Sequence, residues 1–310
     1  MRFVAILNRD GGTLRTMDLD AFCVQAKAIF AQHGHELDCR LVKGKRVEAA
    51  LRAAAQIEGI DALLAGGGDG TISTAAAISF ASGVPLGVLP AGTMNLFARA
   101  LGMPLTLPEA LEAIASGEIG AVDIASANDR PFVHQFGVGV HARLVRIREG
   151  MTYGSRIGKM LASLRAIGAA AINPPEFSAE IHTENGVDTR RVAGIAVSNN
   201  PLGSGRVLHA DRLDGAVLGV YVAAPLSTPA LLKLAVDLFL GTWRASPVVS
   251  EEEVAEVTLH FPNRKRGAMA VIDGELIRLD RSVTLKVHPQ ALKVVLPRAA
   301  EMAQSSVVTK

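Results

Sequence analysis

Two glycine-rich turns carry the residue types that bind phosphate groups. The first turn, GGGDGT at residues 66–71, follows the apolar run DALLA, and the second, PAGTMN at residues 90–95, follows PLGVL. Glycines let the backbone approach a phosphate closely, and free N–H groups at the start of a following helix favour an anion. Each turn also supplies a hydroxyl, from Thr71 or Thr93. Because two such turns follow neighbouring strands, we interpret them as phosphate-binding rather than as tight connections alone.

Asp69 places a carboxylate in the middle of the first turn. One interpretation is a helix cap, which suits any aspartate at this position. A carboxylate that faces phosphates would repel them, however, unless a cation lies between or the carboxylate handles a proton. The repulsion therefore indicates Mg²⁺ and phosphoryl transfer. A dinucleotide fingerprint fits poorly because Thr71 occupies its third glycine position, and no GK[ST] follows to make a Walker A loop.

Further carboxylates lie late in the chain. Asp273 and Glu275 are separated by one glycine, so on a strand they would share a face, although DG is equally typical of a hairpin turn. Asp214, in the sequence LDG, is most simply a turn residue. From the residues alone, a hairpin turn is the favoured interpretation for Asp273 and Glu275, and a turn for Asp214.

The elements that must position these residues change character along the chain. RFVAIL, HELDCRLV, DALLA and PLGVL are short buried strands separated by helical patterns, which predicts a parallel sheet. From about residue 125, alternating runs such as RRVAGIAVS, AVLGVYVA and EVTLHF predict a mostly antiparallel β domain. Helical insertions are expected at about residues 141–171 and 228–243. The second is expected to be a core helix, with an acyl-chain pocket as the alternative.

Bulk composition excludes several classes of protein. A formal net charge of +2 in 310 residues does not indicate a nucleic-acid-binding protein. The N-terminus lacks the apolar region of a secretory signal, and no stretch resembles a bilayer span, so we expect a cytoplasmic protein. Cys23 and Cys39 have no metal-binding spacing, and we expect them to form neither a disulfide nor a metal site.

A basic segment lies between His141 and Arg165. Its cations are interleaved with apolar residues and opposed only by Glu149, a pattern typical either of a helix with a solvated basic face or of contact with an anionic membrane. We take peripheral contact with the inner face of the membrane as a hypothesis. The cations are Arg143, Arg146, Arg148, Arg156, Lys159 and Arg165.

GGGDGT, followed by LPAGTMNLFARALGMP, resembles the catalytic domain of the diacylglycerol kinase family, in particular soluble bacterial lipid kinases related to sphingosine and ceramide kinases. YGSRIGKMLASLRAI is similar to the basic helix of those kinases, and SNNPLGSGRVLHADRLDGAVLGVYV to their glycine turn and DG strand. VIDGEL is similar to their late DGE motif. The resemblance spans most of the chain in the expected order, whereas GGDG alone would not exclude NAD kinases or phosphofructokinases.

The resemblance implies an architecture and a reaction. Residues 1–124 would form an ATP-binding α/β domain with a parallel sheet of the NAD kinase and phosphofructokinase type. Residues 125–290 would form a β-rich lipid-substrate domain, with the active site in the cleft between the two, and the segment at about 291–310 would pack back on the first domain. The implied reaction transfers the γ-phosphoryl group of ATP, with Mg²⁺, to a hydroxyl of a lipid such as diacylglycerol.

The resemblance also assigns roles to residues. Glu275 is the first candidate for accepting the proton of the lipid hydroxyl, with Asp273 and Asp69 as metal-binding or alternative base candidates. Asp214 becomes a ligand of a structural Mg²⁺, aided by the backbone carbonyls of Asp211 and Ala216. Asn8 stands in NRDGG, where the family commonly has an NPxSG-like sequence. The residues expected to bind the nucleotide are Asn8, Gly66, Gly67, Gly68, Asp69, Gly70, Thr71, Thr93 and Asn95.

Two other functions stay open. A kinase with a soluble substrate such as NAD would share the GGDG turn, but the extended match and the basic helix argue against it. A non-catalytic lipid-binding regulator could retain the fold, but the presence of Asp69, Asp273 and Glu275 argues against that. The partner expected from the sequence is thus a lipid with a free hydroxyl, and no nucleic acid.

Overall fold

A computed structural model describes residues 1–149, 174–205 and 207–298 of the chain. The described residues belong to two compact units, one comprising Met1–Ile124, Arg212–Gly215 and the chain from His288, the other comprising Ala125–Asp211 and Ala216–Val287. The helices are α1 (Leu19–Gln32), α2 (Val47–Ala55), α3 (Asp69–Ser82), α4 (Leu96–Ala100), α5 (Leu107–Ser116), α6 (Val140–Glu149) and α7 (Thr228–Leu240). The strands are β1 (Arg2–Asn8), β2 (Glu36–Val42), β3 (Ala62–Gly67), β4 (Leu86–Pro90), β5 (Glu118–Ala127), β6 (Arg130–Phe132), β7 (Gln135–Gly139), β8 (Phe177–Thr183), β9 (Gly186–Val192), β10 (Gly194–Asn199), β11 (Leu218–Ala223), β12 (Val249–Val254), β13 (Glu256–His260), β14 (Met269–Ile272), β15 (Glu275–Arg278) and β16 (Ser282–Leu296).

The first unit contains the predicted parallel sheet. Its strands lie in the order β2-β1-β3-β4, and Val294 in the last part of β16 pairs in parallel with Leu86 of β4. Leu7 lies opposite Gly66, which lies opposite Leu89, so the carboxyl ends of β1, β3 and β4 are in register. The strands are almost completely buried, as expected for a parallel sheet covered by helices. The register brings both glycine turns to one edge of the sheet.

Helix α1 shows how the sequence produces this covering. Its first turn is capped by Asp18, whose carboxylate accepts a hydrogen bond from the Ala21 N–H at 3.0 Å. Phe22, Ala26 and Phe30 repeat every four residues and are all buried, so one face of the helix is apolar and packed. The ring of Phe30 meets Phe3 of β1 edge to face at 4.9 Å. The sheet and this helix therefore share one core.

Cys23 in α1 and Cys39 in β2 form a disulfide, with their Cα atoms 6.0 Å apart. The expectation that the cysteines are unpaired was therefore wrong. Sixteen positions separate them, and they meet only because α1 packs against β2, which the cysteine spacing does not reveal. The compartment inferred from unpaired thiols loses that support. Among the described residues, no helix is both long enough and apolar enough to cross a membrane.

The second unit is built from antiparallel strands, as predicted. One sheet has the order β12-β11-β10-β7-β14-β15, and another set pairs in the order β16-β13-β8-β9. Residues from both sets form one core, including Phe136 of β7, Ile181 of β8, Leu259 of β13 and Leu285 of β16. The fold class inferred from the sequence, an α/β domain followed by a mostly antiparallel β domain, is confirmed.

Helix α7 was expected to be a core helix, and it is buried on one face only. Leu231 and Leu234 pack in a cluster with Tyr221 and Trp243. On the other face, Phe239 is 75% exposed, and Leu232, Val236 and Leu240 are also exposed. Helix α6 packs against the same cluster through Leu144 and Ile147. The later part of the basic segment and residues 299–310 lie outside the described residues.

Asp123 offers a test of the first unit. It is completely buried, and its Oδ1 accepts a hydrogen bond from the Gln290 N–H at 2.8 Å. Because Asp123→Ala would remove a hydrogen bond to a charged acceptor, we expect the free energy of unfolding to fall by about 1–3 kcal/mol in urea titrations. Asp129→Ala, at an exposed position, serves as the control and should change it by less than about 0.5 kcal/mol. Equal midpoints for the two variants would contradict this role for Asp123.

Candidate active site

The ends of three neighbouring strands supply the predicted phosphate-binding residues. Asn8 ends β1, Gly66 and Gly67 end β3, and the second glycine turn begins at Pro90, the last residue of β4. Gly68 is the N-cap of the 14-residue helix α3, and Asp69 is its first residue. In an open parallel sheet, ligands bind beyond the carboxyl ends of the strands. The structure therefore gathers Asn8 and both turns at the edge where a ligand is expected.

Asn8 connects β1 to the first glycine turn. Its Nδ2 donates a hydrogen bond to Oγ1 of Thr71 at 3.1 Å, and its Oδ1 accepts one from the Asp10 N–H at 3.1 Å. The Asp10 carboxylate in turn accepts from the Gly44 N–H at 2.8 Å. The side chain of Thr71, in α3, is thus held by a residue of β1. Asp10 was not a predicted site residue, and its only sequence signal was its place in NRDGG.

The two turns approach each other so closely that they need glycine. A Cβ atom on Gly92 would lie 2.8 Å from the Cα of Gly68, closer than side-chain carbons approach a backbone. Gly12 has a φ of +46° and a Cβ there would lie 1.7 Å from the Ala91 carbonyl oxygen. The second turn is therefore enclosed by backbone on two sides, and its shape is set by contacts rather than by sequence within the turn alone.

Asp69 does not cap its own helix. Its Oδ2 accepts a hydrogen bond from the Asn95 N–H at 3.2 Å and its Oδ1 accepts one from the Leu96 N–H at 2.7 Å, at the start of α4. Asn95 has a φ of +51°, and its own Oδ1 accepts from the Gly92 N–H at 2.8 Å. The half-buried carboxylate thus joins the first glycine turn to the second. Its negative charge faces backbone donors, which stabilise it.

Other predicted residues of this edge are open to solvent. Gly70 and Thr93 are exposed, and a Cβ on Gly70 would meet no atom within 4 Å. Gly70 lies in the first turn of α3. Backbone N–H groups in the first turn of a helix have no partner within the helix and can bind an anion. Space and donors are therefore present together at the start of α3, and the residues there suit the phosphate groups of a nucleotide.

Asp273, in the second unit, is the centre of a backbone clamp. It and Gly274 form the two-residue turn between β14 and β15, with φ values of +47° and +85°. Its Oδ1 accepts from the N–H groups of His134 and Gln135, both at 2.9 Å, and its Oδ2 accepts from the Val133 N–H at 3.0 Å. Asp273 thus lies in a hairpin turn, as one interpretation of the sequence held. It also has a second role, because its carboxylate holds the segment that leads into β7.

Glu275 follows this turn and remains accessible. Its side chain is 69% exposed, and one carboxylate oxygen is paired with Nη2 of Arg130 at 2.5 Å. Arg130 lies in β6 and carried no motif in the sequence. The structure therefore separates the two acids of the DGE sequence, since Asp273 is held by backbone N–H groups whereas Glu275 extends into solvent.

The residues proposed for a structural metal have the following positions. Asp214 accepts a hydrogen bond from Arg212 at 3.0 Å, and this guanidinium lowers the pKa of the Asp214 carboxyl below its ordinary value. Asp211 is exposed, and Ala216 has a φ of +55°. In the described part of the chain, no group of three or more His, Cys, Asp or Glu side chains lies in an arrangement suited to a metal ion.

Part of the sequence matches a known protein family. Residues 2–127, which contain both glycine turns, match the family model of the diacylglycerol kinase catalytic domain. These residues belong to the diacylglycerol kinase catalytic-domain family. The resemblance seen in the sequence is confirmed, and the match supports a kinase with an alcohol acceptor.

Relatives and solved structures extend the likeness beyond the catalytic domain. An uncharacterised protein of Synechocystis, sll0036, is 30% identical over 77% of this chain, and the chain spans 56% of that protein's length. A Staphylococcus aureus protein named "Putative lipid kinase SaurJH9_0749" is 24% identical over 76% of this chain and 77% of its own. A Bacillus anthracis crystal structure described as a "putative diacylglycerol kinase" matches with a TM-score of 0.73 and 20% identity, covering 96% of this chain and 98% of that one. At this identity the structure shows a shared fold.

Asp69→Ala tests the link between the turns of this catalytic domain. The substitution removes the acceptor for the Asn95 and Leu96 N–H groups, so we expect the free energy of unfolding to fall by about 1–3 kcal/mol without any nucleotide. Urea titration measures the change. Glu58→Ala, which removes an exposed carboxylate in the same unit, should shift the midpoint little. If Asp69→Ala is as stable as the wild-type protein, the carboxylate does not hold the turns together.

Proposed function

We propose that this protein is an ATP- and Mg²⁺-dependent lipid kinase, which transfers the γ-phosphoryl group of ATP to a hydroxyl of a lipid such as diacylglycerol. The observation that carries the proposal is the pair of glycine turns, linked by Asp69, within residues that match a diacylglycerol kinase catalytic domain. The named lipid kinase of Staphylococcus aureus, which matches over both parts of the chain, favours a lipid acceptor over a soluble one.

In this proposal the first unit binds the nucleotide. The phosphates lie against the N-terminus of α3, where the first N–H groups of the helix have no partner within it, and the hydroxyl of Thr93 reaches them from the second turn. Asn8 contributes by holding the Thr71 hydroxyl, and Asn95 by fixing the second turn. Rigid placement of this kind matters because phosphoryl transfer depends on positioning and charge neutralisation more than on covalent chemistry.

Magnesium, when bound with ATP, neutralises charge on the phosphates. Each oxygen of the Asp69 carboxylate accepts one backbone hydrogen bond and retains a further lone pair, so Asp69 suits a magnesium ion or its bound water. Asp214 is the candidate ligand for a separate, structural Mg²⁺, and its lowered pKa keeps it ionised at neutral pH. Both are oxygen ligands of the kind that Mg²⁺ prefers.

Glu275 is our candidate for accepting the proton of the lipid hydroxyl. Asp273 uses both carboxylate oxygens on three backbone donors, which favours a positioning role. Glu275 is exposed, and its contact with Arg130 is an ion pair at the protein surface, the kind that exchanges readily with solvent and other partners. A base must reach the proton that it accepts, and of the two acids only Glu275 extends freely.

We also propose peripheral contact with the cytoplasmic face of an anionic membrane. Helix α6, with Arg143 and Arg146, and helix α7, with the exposed Phe239, pack on the same cluster. Cations beside exposed apolar side chains are typical of surfaces that bind membranes. Arg156, Lys159 and Arg165, which completed the predicted basic segment, lie outside the described residues.

The decisive assay combines labelled ATP, Mg²⁺ and a panel of hydroxyl-bearing lipids in detergent micelles. Glu275→Gln should lower the rate of label transfer to organic-extractable product by about 10²-fold or more, because the proton acceptor is lost. Glu253→Gln makes the same change at an exposed position of β12 and should retain the wild-type rate.

Three outcomes of this assay would count against the proposal. Transfer of label only to a water-soluble acceptor such as NAD would overturn the lipid substrate. Absence of transfer to either acceptor class would favour a non-catalytic lipid-binding protein. Unchanged transfer by Glu275→Gln would remove that residue as the base while leaving the kinase activity intact.

Flotation with vesicles tests the membrane contact. We expect the protein to float with vesicles that contain anionic lipid, and Phe239→Ser to reduce the bound fraction, because a 75% exposed aromatic side chain is replaced by a polar one. Val187→Ser, a change at another exposed apolar residue of the same unit, is the control. If the protein floats with neither neutral nor anionic vesicles, the membrane contact is excluded.

A further inference from the structure

The second unit contains a cavity of about 820 Å³ that none of the residues assigned to phosphoryl transfer lines, although Arg143 and Arg146 of α6 line it. It lies among the end of β7, the first turns of α6, the start of β8 and the connection from β13 to β14. Its volume falls within the range of about 300–1,000 Å³ that is usual for small-molecule sites. Neither the glycine turns nor the DGE sequence contributes to its wall. The cavity therefore needs an explanation of its own.

The wall is strongly cationic. Six basic side chains line the cavity, and the only carboxylate among the lining residues that the structure describes is Glu176, which is paired with Arg191 at 2.7 Å. Three of the cations are consecutive in the connection from β13 to β14. Like charges placed together repel one another, so the arrangement is stabilised by an anion among them. The six are Arg143, Arg146, Arg191, Arg264, Lys265 and Arg266.

Arg264 has a buried hydrogen-bond donor that an anion could satisfy. Its Nε is buried, and no hydrogen-bond partner for it lies in the described part of the chain. A buried donor without an acceptor costs about 1–3 kcal/mol, and arginine N–H groups match the oxygens of phosphate. An anionic oxygen in the cavity would satisfy this donor.

Part of the remaining wall is apolar, and this distinguishes the cavity from a site for a simple ion. Phe177 and Phe261 lie with their ring centroids 5.9 Å apart, and both line the cavity. Aliphatic side chains complete this part of the wall. A free phosphate ion would leave the apolar surface in contact with water, whereas an attached hydrocarbon chain would cover it. The aliphatic members are Val138, Ala142, Met269 and Leu279.

We propose that this cavity binds a single anionic amphiphile, a phosphate-bearing lipid whose headgroup lies among the cations and whose chain lies along the apolar wall. The site is separate from the residues assigned to phosphoryl transfer, so it can act as a sensor of acidic lipid rather than as the place of reaction. It does not depend on the proposed function, because binding can be measured whether or not the protein is a kinase.

Calorimetric titration of the full chain with dihexanoyl phosphatidate, kept below its micelle concentration, tests the site. Inorganic phosphate and dihexanoyl phosphatidylcholine are titrated in parallel, so that the headgroup charge and the chain are varied separately. We expect phosphatidate to bind at least about tenfold more tightly than either, since each of the other two lacks one of the recognised parts.

Variants locate the binding within the cavity. Arg264→Gln should weaken phosphatidate binding by about tenfold, and Lys265→Gln, at an exposed position that tolerates change, by about threefold. Arg281→Gln removes the same charge at an exposed residue outside the cavity and should change the affinity by less than about twofold.

The proposal is overturned by any of four results. These are no binding of phosphatidate, equal affinity for inorganic phosphate, equal affinity for phosphatidylcholine, or equal losses in the Arg264→Gln and Arg281→Gln variants. Failure of the lipid kinase assay together with specific phosphatidate binding would reject the proposed function and retain this site.

Discussion

The carboxylate of Asp69 accepts two backbone hydrogen bonds from the start of α4, and the placement of the second glycine turn beside the first depends on this interaction. Register alone places β3 beside β4, but it does not fix the loops that follow them. Hydrogen bonds from N–H groups to a charged acceptor are shorter and stronger than those between neutral groups. The carboxylate in the first glycine turn thereby has a structural role, since its charge is directed at donors of the neighbouring turn.

The second unit uses the same device at Asp273, whose carboxylate binds three backbone N–H groups ahead of β7. In both units an aspartate in a glycine-containing turn fixes a second chain segment. Each therefore stabilises a loop through contacts that lie outside the turn itself. Glu275 differs, because its exposed carboxylate is tied only by an ion pair at the surface. The DGE sequence thus places an acid that is held by backbone N–H groups two residues before one that is exposed to solvent.

The sequence was sufficient for properties that local patterns encode. Buried strand runs predicted the parallel sheet, and alternation predicted the antiparallel unit. The order of the strands also predicted that the glycine turns after β3 and β4 would lie at one edge of the sheet. It was insufficient wherever a partner lies far along the chain. The Cys23–Cys39 disulfide and the pairing of Arg130 with Glu275 arise from packing between elements, and no spacing rule contains them. Likewise, Leu231 and Phe239 are equally apolar in the sequence, and only the fold decides which is buried.

Net charge illustrates why bulk composition limits function less than local structure does. The chain carries only two more basic than acidic residues, yet six cations and one carboxylate line a single cavity. The rest of the chain therefore contains more acidic than basic residues. Because charges are screened over about 8–10 Å at physiological ionic strength, a ligand in that cavity experiences the local cations and little of the compensating acids. A nearly neutral protein can thus present a strongly cationic surface to an anionic ligand at one site.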